Sequence, residues 1–235
     1  RHALALALAA LTLASAGCAA RMKVAPALET SAEAWPVAGA NPRVWGAPIT
    51  FGPWRAAAAV SDGTTLGWSA DVLGLGKLAG ARRPFSLRLE GPAGALDVEC
   101  LQQRLTAVAP FGVELDLERL GGTPQLACAF RPREASGWTG AWTLVVRATG
   151  RPAPAFEGEL RDGRGVSFSV RSVHELAGGG LPLGTPAGWS LERVGAQVAA
   201  VEVLDAGRVL VSRRESEGSA LAAAAAALLL FQPPE

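Results

Sequence analysis

The chain has 235 residues, of which 49% are hydrophobic, and 22 Lys and Arg residues face 21 Asp and Glu residues for a formal net charge of +1 at pH 7. A general nucleic-acid binder needs surplus positive charge to neutralise phosphates, so this balance argues against that class of partner. The length is sufficient for one sizeable domain with a hydrophobic core of its own.

Residues 1–17 have the composition of an export signal. A short basic start precedes a predominantly apolar stretch over residues 3–14, which has the length of a secretory signal core and is too short to span a membrane. The stretch leads into Leu13-Ala14-Ser15-Ala16-Gly17-Cys18, which resembles the lipobox of bacterial lipoprotein signal peptides. The resemblance implies removal of the peptide before Cys18 and lipidation of Cys18. Ser15 departs from the leucine usual in that family, so ordinary secretion with cleavage after Ala16 is the alternative.

Lipidation at Cys18 would place the protein in the bacterial cell envelope. By resemblance to the sorting rules of bacteria with two membranes, Ala19 in place of Asp implies transfer to the outer membrane. Acyl chains such as palmitate contribute about 0.8 kcal/mol per buried CH₂, so several chains on one cysteine would hold the protein firmly. Residues 18–44 are rich in Ala, Glu and Pro without a clear period, and we interpret them as a lipidated tether.

Residues 45–214 are predicted to form one antiparallel β domain. Phe85, Leu87 and Leu89 alternate with polar residues, and a period of two with one polar face is typical of an antiparallel sheet packed on one side. The same period recurs over residues 96–100, 113–118, 126–130, 142–148, 156–160, 166–170, 198–204 and 209–212. The glycine-rich residues 71–83 are interpreted as a loop. We therefore predict an all-β fold, a closed antiparallel barrel or a sandwich of about ten to twelve strands.

The cysteines divide into Cys18 and one further pair. Cys100 and Cys128 both fall on the apolar faces of predicted strands, and an exported pair of this kind is typical of a disulfide. Because the pair is not a C-x-x-C motif, we predict a structural bridge rather than a redox site.

Residues 215–235 are predicted to hold an unusually apolar helix. No polar side chain occurs between Ala220 and Phe231, and a helix that is apolar on every side must be surrounded by protein or lipid. At ~1.5 Å per residue it is about 18 Å long, well short of the ~30 Å hydrocarbon core of a bilayer. We therefore expect it to be buried by the β domain, packed in it or on it.

The order of elements near the carboxyl end adds a second resemblance. The hairpins FEGELRDGRGVSFSV and VAAVEVLDAGRVLVS, followed by an apolar terminal helix, look like the last part of tubby-like barrels, the group that includes the plant LURP-one-related proteins and the phospholipid scramblases. The resemblance covers residues 156–231 and is one of pattern and order. It implies a twelve-stranded closed sheet around a C-terminal helix, and it suggests association with membrane lipid.

The sequence shows no clear constellation for catalysis or metal binding. His174 has no G-x-S-x-G partner motif, so we interpret it as a surface or turn residue rather than part of a Ser-His-acid triad. The stretch 74–78 lacks the first glycine and the hydroxyl of a phosphate loop. Glu114, Asp116 and Glu118 are interpreted as a solvated face, because calcium needs about six to eight converging oxygens. We predict no catalytic residue, no metal and no cofactor.

Two of the seven tryptophans are candidates for stacking on a ligand. Trp138 and Trp142 flank a short turn, where they could contact a sugar or a membrane interface, although tryptophan is also an ordinary core residue of β proteins. The expected function is a non-enzymatic binding or structural module of the envelope, associated with membrane lipid, whose protein or lipid partner the sequence does not name. One alternative is an apolar-ligand carrier with the C-terminal helix as a lid. Another is a carbohydrate-binding or carbohydrate-active domain that uses exposed tryptophans and paired carboxylates.

Overall fold

The structure is a computed structural model that describes residues 20–39, 48–59, 66–71, 77–108, 114–116, 124–133, 140–149 and 155–231. Its strands are β1 Ala32–Ala38, β2 Ile49–Phe51, β3 Trp54–Ala59, β4 Leu66–Asp71, β5 Lys77–Gly91, β6 Gly94–Val108, β7 Glu114–Asp116, β8 Pro124–Pro132, β9 Trp142–Thr149, β10 Ala155–Asp162, β11 Ser167–Val173, β12 Gly188–Arg193, β13 Ala196–Glu202 and β14 Arg208–Ser212. Its helices are α1 Pro26–Ser31 and α2 Gly218–Leu230.

Twelve of these strands close into an antiparallel barrel. The order around the wall is β5-β3-β2-β1-β14-β13-β12-β11-β10-β9-β8-β6, and pairing of β6 with β5 completes the circle. Closure leaves no free edge in the wall, which removes the unpaired backbone groups at which sheets aggregate. The prediction of a closed antiparallel barrel is confirmed.

The wall has an apolar inner face and a charged outer face. Along β9 the buried residues Trp142, Leu144 and Val146 alternate with partly or fully exposed ones. On the outer face, ion pairs such as Arg88 with Asp97 at 3.3 Å link neighbouring strands. Both side chains of that pair are about half exposed, so the pair adds little stability. Burial on the inner face therefore supplies most of the driving force for closure.

Helix α2 lies inside the barrel. Every residue from Ala220 to Leu228 is at most 2% exposed, and these residues share one hydrophobic core with the inner face of the wall. A run that long covers all sides of a helix, so no side of α2 meets water. The alanines keep the helix thin enough for the space. The predicted burial of this segment in the β domain is confirmed, and the helix fills the interior instead of covering an open mouth.

The predicted tether is wrong for its described part, residues 20–39. These residues form α1 and β1, and β1 completes the wall by pairing with β14, Ala32 opposite Ser212, and with β2. Met22 and Leu28 pack on the outer face of the wall against Leu210 in a second hydrophobic cluster. The sequence gives little sign of this packing, because the apolar residues of the segment follow neither the strand period nor the helix period.

The predicted loop over residues 71–83 is also wrong where the structure describes it. Strand β5 begins at Lys77, and its first residues pair with β6 on one side and β4 on the other. Residues 77–82 of β5 and 103–108 of β6, together with β4 and β7, extend the sheet past the barrel wall. Pairing on both edges satisfies the backbone groups, so glycines there do not prevent strand formation.

The predicted disulfide is confirmed. Cys100 on β6 lies directly opposite Cys128 on β8, with 4.1 Å between the Cα atoms. Both residues are buried in the inner core, so the bridge clamps two wall strands from the inside.

Candidate functional site

One end of the barrel combines the exit of the helix with the start of the described chain. A continuous row of paired residues, Val173, Gly188, Glu202 and Arg208, forms part of this rim. Phe231 follows α2 at the same end. We call it the Phe231 end, and we call the end near Ser212, where α2 begins, the Ser212 end.

Three aromatic rings close the barrel at the Phe231 end. The Phe231 ring lies 5.6 Å from the Trp189 ring and 6.0 Å from the Phe156 ring, with the second pair edge to face. Phe156 and Trp189 are themselves 5.9 Å apart. Rings at these separations attract one another beyond their simple burial. The cluster therefore seals the interior at the point where the helix ends.

A buried carboxylate holds the N-terminal segment to this rim. Glu202 is 1% exposed, and its Oε1 accepts a 2.9 Å hydrogen bond from the backbone N–H of Met22. Its Oε2 accepts from Nε of Arg208 at 3.0 Å and from Nη1 of Arg21 at 3.5 Å. A buried charge is costly unless it is paired and hydrogen-bonded, and Glu202 meets both conditions. Sequence reasoning placed Glu202 on a strand and found no role for it.

Further backbone contacts fix residues 21–25 along the outer face. Lys23 N–H donates to the Glu175 carbonyl at 2.9 Å, and Ala177 N–H donates to the Arg21 carbonyl at 2.9 Å. Ala25 N–H donates to the Gln197 amide oxygen at 2.7 Å, near the Ser212 end. The segment therefore crosses the wall from one end of the barrel to the other.

Gly188 makes room for this segment. A Cβ at position 188 would lie 2.1 Å from the Val201 carbonyl oxygen of β13 and 2.4 Å from the Met22 sulfur, separations that packed atoms do not reach. The close approach of the β13 backbone therefore requires a glycine here, and the absence of a side chain also leaves room for Met22.

A long loop at the Phe231 end lies beside the segment. The connection from β11 to β12 begins with His174 and the exposed Glu175, and the residues that follow, 176–187, contain no charged side chain. Leu181 near the loop's midpoint is 89% exposed. We call residues 176–187 the Leu181 loop.

His174 fixes this loop to the rim. Its Nδ1 lies 2.9 Å from the Leu183 carbonyl oxygen, which can only accept, so Nδ1 carries a proton. Nε2 is 3.1 Å from Oγ of Ser172, and that oxygen accepts from Phe156 N–H at 2.9 Å. Both ring nitrogens are occupied, so a carboxylate has no nitrogen left to complete a triad. The arrangement ties the loop to β10 and β11.

Of the two candidate stacking tryptophans, the structure describes only Trp142. Trp142 is 2% exposed and stacks on Phe168 at 6.0 Å inside the barrel. It has no free face for a ligand, so its predicted stacking role is wrong. Trp138 lies outside the described residues. On a strand whose inner face is buried, the inward-facing residues belong to the hydrophobic core. The alternation along β9 already indicated this for Trp142.

Two of the three acidic residues of the predicted solvated face lie within the described chain. Glu114 and Asp116 are on β7, and Glu118 lies outside the described residues. Among the residues that the structure describes, no group of three or more His, Cys, Asp or Glu side chains could hold a metal ion.

A surface groove lies outside the wall, near the Ser212 end. It has a volume of about 600 Å³ and is lined by both charged and apolar residues, among them Glu159, Arg161 and Val166. Asp162 borders the groove, but its carboxylate already accepts hydrogen bonds from the Arg164 side chain and from the Val166 N–H. The groove is open to solvent, unlike the enclosed apolar cavity that an apolar-ligand carrier needs.

Cys18 lies outside the described residues, two positions before the first of them, Ala20. Within the described ranges no helix has the length and hydropathy needed to cross a bilayer. In comparisons with known proteins, no family model, no curated protein and no solved structure matches the chain.

Proposed function

We propose that the protein is a lipid-anchored, non-enzymatic binding or structural module of the bacterial envelope, attached through Cys18. The observation that carries the non-enzymatic part is the filled interior, in which Ala220 to Leu228 occupy the space that a carrier or an enclosed active site would use. Binding is then left to the outer surface and the ends of the barrel. The lipobox-like sequence before Cys18 supports the anchor and an outer-membrane location.

We further propose that the barrel is of the tubby-like kind. The twelve-stranded wall and the central C-terminal helix are the two features that the sequence resemblance implied. This likeness favours a role at a lipid surface. It assigns no ligand-binding residue.

The two alternative functions receive less support. The carrier required α2 as a lid over an open mouth, whereas α2 is enclosed and three aromatic rings close its exit. The carbohydrate module required exposed tryptophans, and Trp142 is buried.

The anchor can be tested by metabolic labelling. The chain, given an initiator methionine, is expressed in a bacterium with two membranes in the presence of a labelled fatty acid. We expect label on the wild type, in the outer-membrane fraction, and none on Cys18→Ser. The double variant Cys100→Ser/Cys128→Ser removes two thiols but should keep the label. A wild-type N-terminal peptide with an unmodified Cys18 thiol would refute the proposal.

A further inference from the structure

We infer that the Phe231 end of the barrel faces the lipid surface and that the Leu181 loop enters the headgroup region. The inference rests on the proposed anchor at Cys18. The partner is a phospholipid bilayer, and the contact surface comprises residues 176–187 together with Arg21 and Lys23.

The first argument is the shortness of the link. Met22 is fully buried and its N–H is bonded to Glu202, so the chain is fixed at that point. Cys18 is four positions earlier in sequence. A fully extended link of that length spans at most about 14 Å. An acylated Cys18 would therefore hold the rim near Met22 within about 14 Å of the membrane.

The second argument is the position of the loop relative to that link. Ala177 N–H donates to the Arg21 carbonyl at 2.9 Å, and Leu176 forms a β-bridge with Met22. The loop therefore starts at the very residues that the link would bring to the membrane. Any bilayer that holds Cys18 lies beside the Leu181 loop.

The third argument is the chemistry of the loop. It has no charge to desolvate, and Leu181 exposes 89% of its surface to water at no structural benefit to the barrel. An exposed leucine gains free energy by entering the interfacial region of a bilayer. Arg21, Lys23 and Glu175 are exposed beside the loop, so two of these three charges are positive and favour anionic headgroups.

Val194 provides a contrast within the same molecule. It is also fully exposed and apolar, but it lies in the turn between β12 and β13 at the Ser212 end. Strand β13 separates that turn from Glu202 by roughly 20 Å, more than the link to Cys18 can span. Exposure alone would make Val194 and Leu181 equivalent, whereas the anchor geometry selects Leu181.

The test compares these two positions with a fluorescent probe. Leu181→Cys and Val194→Cys each add one free thiol, because Cys18 is acylated and Cys100 is paired with Cys128. The acylated full chain is labelled with an NBD fluorophore and reconstituted into phosphatidylethanolamine–phosphatidylglycerol vesicles that contain a doxyl-lipid quencher. Both sites are exposed, so neither substitution should disturb the fold.

We expect the probe at position 181 to be quenched severalfold more than the probe at position 194, with a blue-shifted emission. Equal or absent quenching at both positions in a vesicle-bound chain would overturn the orientation and leave the anchor intact. A chain that does not float with vesicles and carries an unmodified Cys18 thiol would overturn the anchor, and the orientation would fall with it.

Discussion

The backbone N–H of Met22 donates a 2.9 Å hydrogen bond to the Glu202 carboxylate, across a sequence separation of 180 residues. This contact joins the first described residues to the end of β13. It also fixes a segment with the composition of a linker against the outer face of the wall.

Replacing Glu202 should release that segment. Removing one partner of a buried charge pair leaves the other groups unpaired, so Glu202→Ala should lower the free energy of unfolding by about 3 kcal/mol. Glu157 is exposed on the outer face of β10, and Glu157→Ala should change it by less than about 0.5 kcal/mol. Urea unfolding measures both values. Trypsin should also cleave after Arg21 and Lys23 faster in Glu202→Ala, and equal cleavage rates would contradict the role of the contact.

The thin helix should not tolerate a larger side chain. Ala224 is fully buried inside the barrel, and the extra methylenes of Ala224→Leu have no space, so we expect a loss of about 1 to 3 kcal/mol. Ala27 on α1 is an exposed helical alanine, and Ala27→Leu should be nearly neutral because the two residues have similar helix propensity. Thermal unfolding of both variants distinguishes the sites. Equal melting temperatures would mean that α2 is not confined.

The disulfide should contribute mainly by restricting the unfolded chain. Cys100 and Cys128 are 28 residues apart, and closing a loop of that size stabilises a fold by ~3 to 4 kcal/mol in the chain-entropy account. Cys100→Ala/Cys128→Ala should therefore melt on the order of 10 °C lower. Dithiothreitol should lower the melting temperature of the wild type and leave that of the double variant unchanged. An unchanged wild type under full reduction would contradict this prediction.

Asp162 should make stability depend on pH in the acid range. Burial alone would raise the pKa of its carboxyl, but hydrogen bonds from Val166 N–H and from the backbone and side chain of Arg164 outweigh burial and hold the pKa below its ordinary value of 3.8. A carboxyl with a depressed folded-state pKa stabilises the fold above the unfolded-state pKa, and this contribution is lost as the pH falls through the folded-state value.

Asp162→Asn should therefore be less stable than the wild type by a constant amount from pH 7 to about pH 5. The difference should shrink as the pH falls below 3.8. Urea midpoints measured from pH 2.5 to pH 7 test this expectation. A difference that does not change across the range would show that the charge of Asp162 contributes nothing.

Local periodicity was enough to predict the strands and the buried apolar helix, but it left open a barrel or a sandwich and a helix packed in or on the β domain. The alternation of Trp142, Leu144 and Val146 indicated an inner face, and the uninterrupted apolar run from Ala220 indicated a helix with no side for water. Both signals arise because burial selects residue type at a fixed spacing. The same periodicity places Cys100 and Cys128 on the apolar faces of their strands, and this predicted their disulfide.

The rim could not be predicted because its contacts are distant in sequence. Nothing near Met22 indicates that Glu202 accepts its N–H, and nothing near Gly188 indicates that a methionine side chain crosses it. Residues 77–82 were misread because glycine is a local signal for a loop, whereas pairing with two neighbouring strands is a property of the assembled sheet.

Helix α2, around which the wall closes, follows the described strands in the chain. Until α2 has emerged from the ribosome, the inner face lacks the helix against which it packs, and until β14 has emerged, β1 lacks one of its two partners. The barrel can therefore complete its fold only after α2 has been synthesised. If the protein is exported as proposed, its strands can pass through a narrow export channel before the barrel closes around α2.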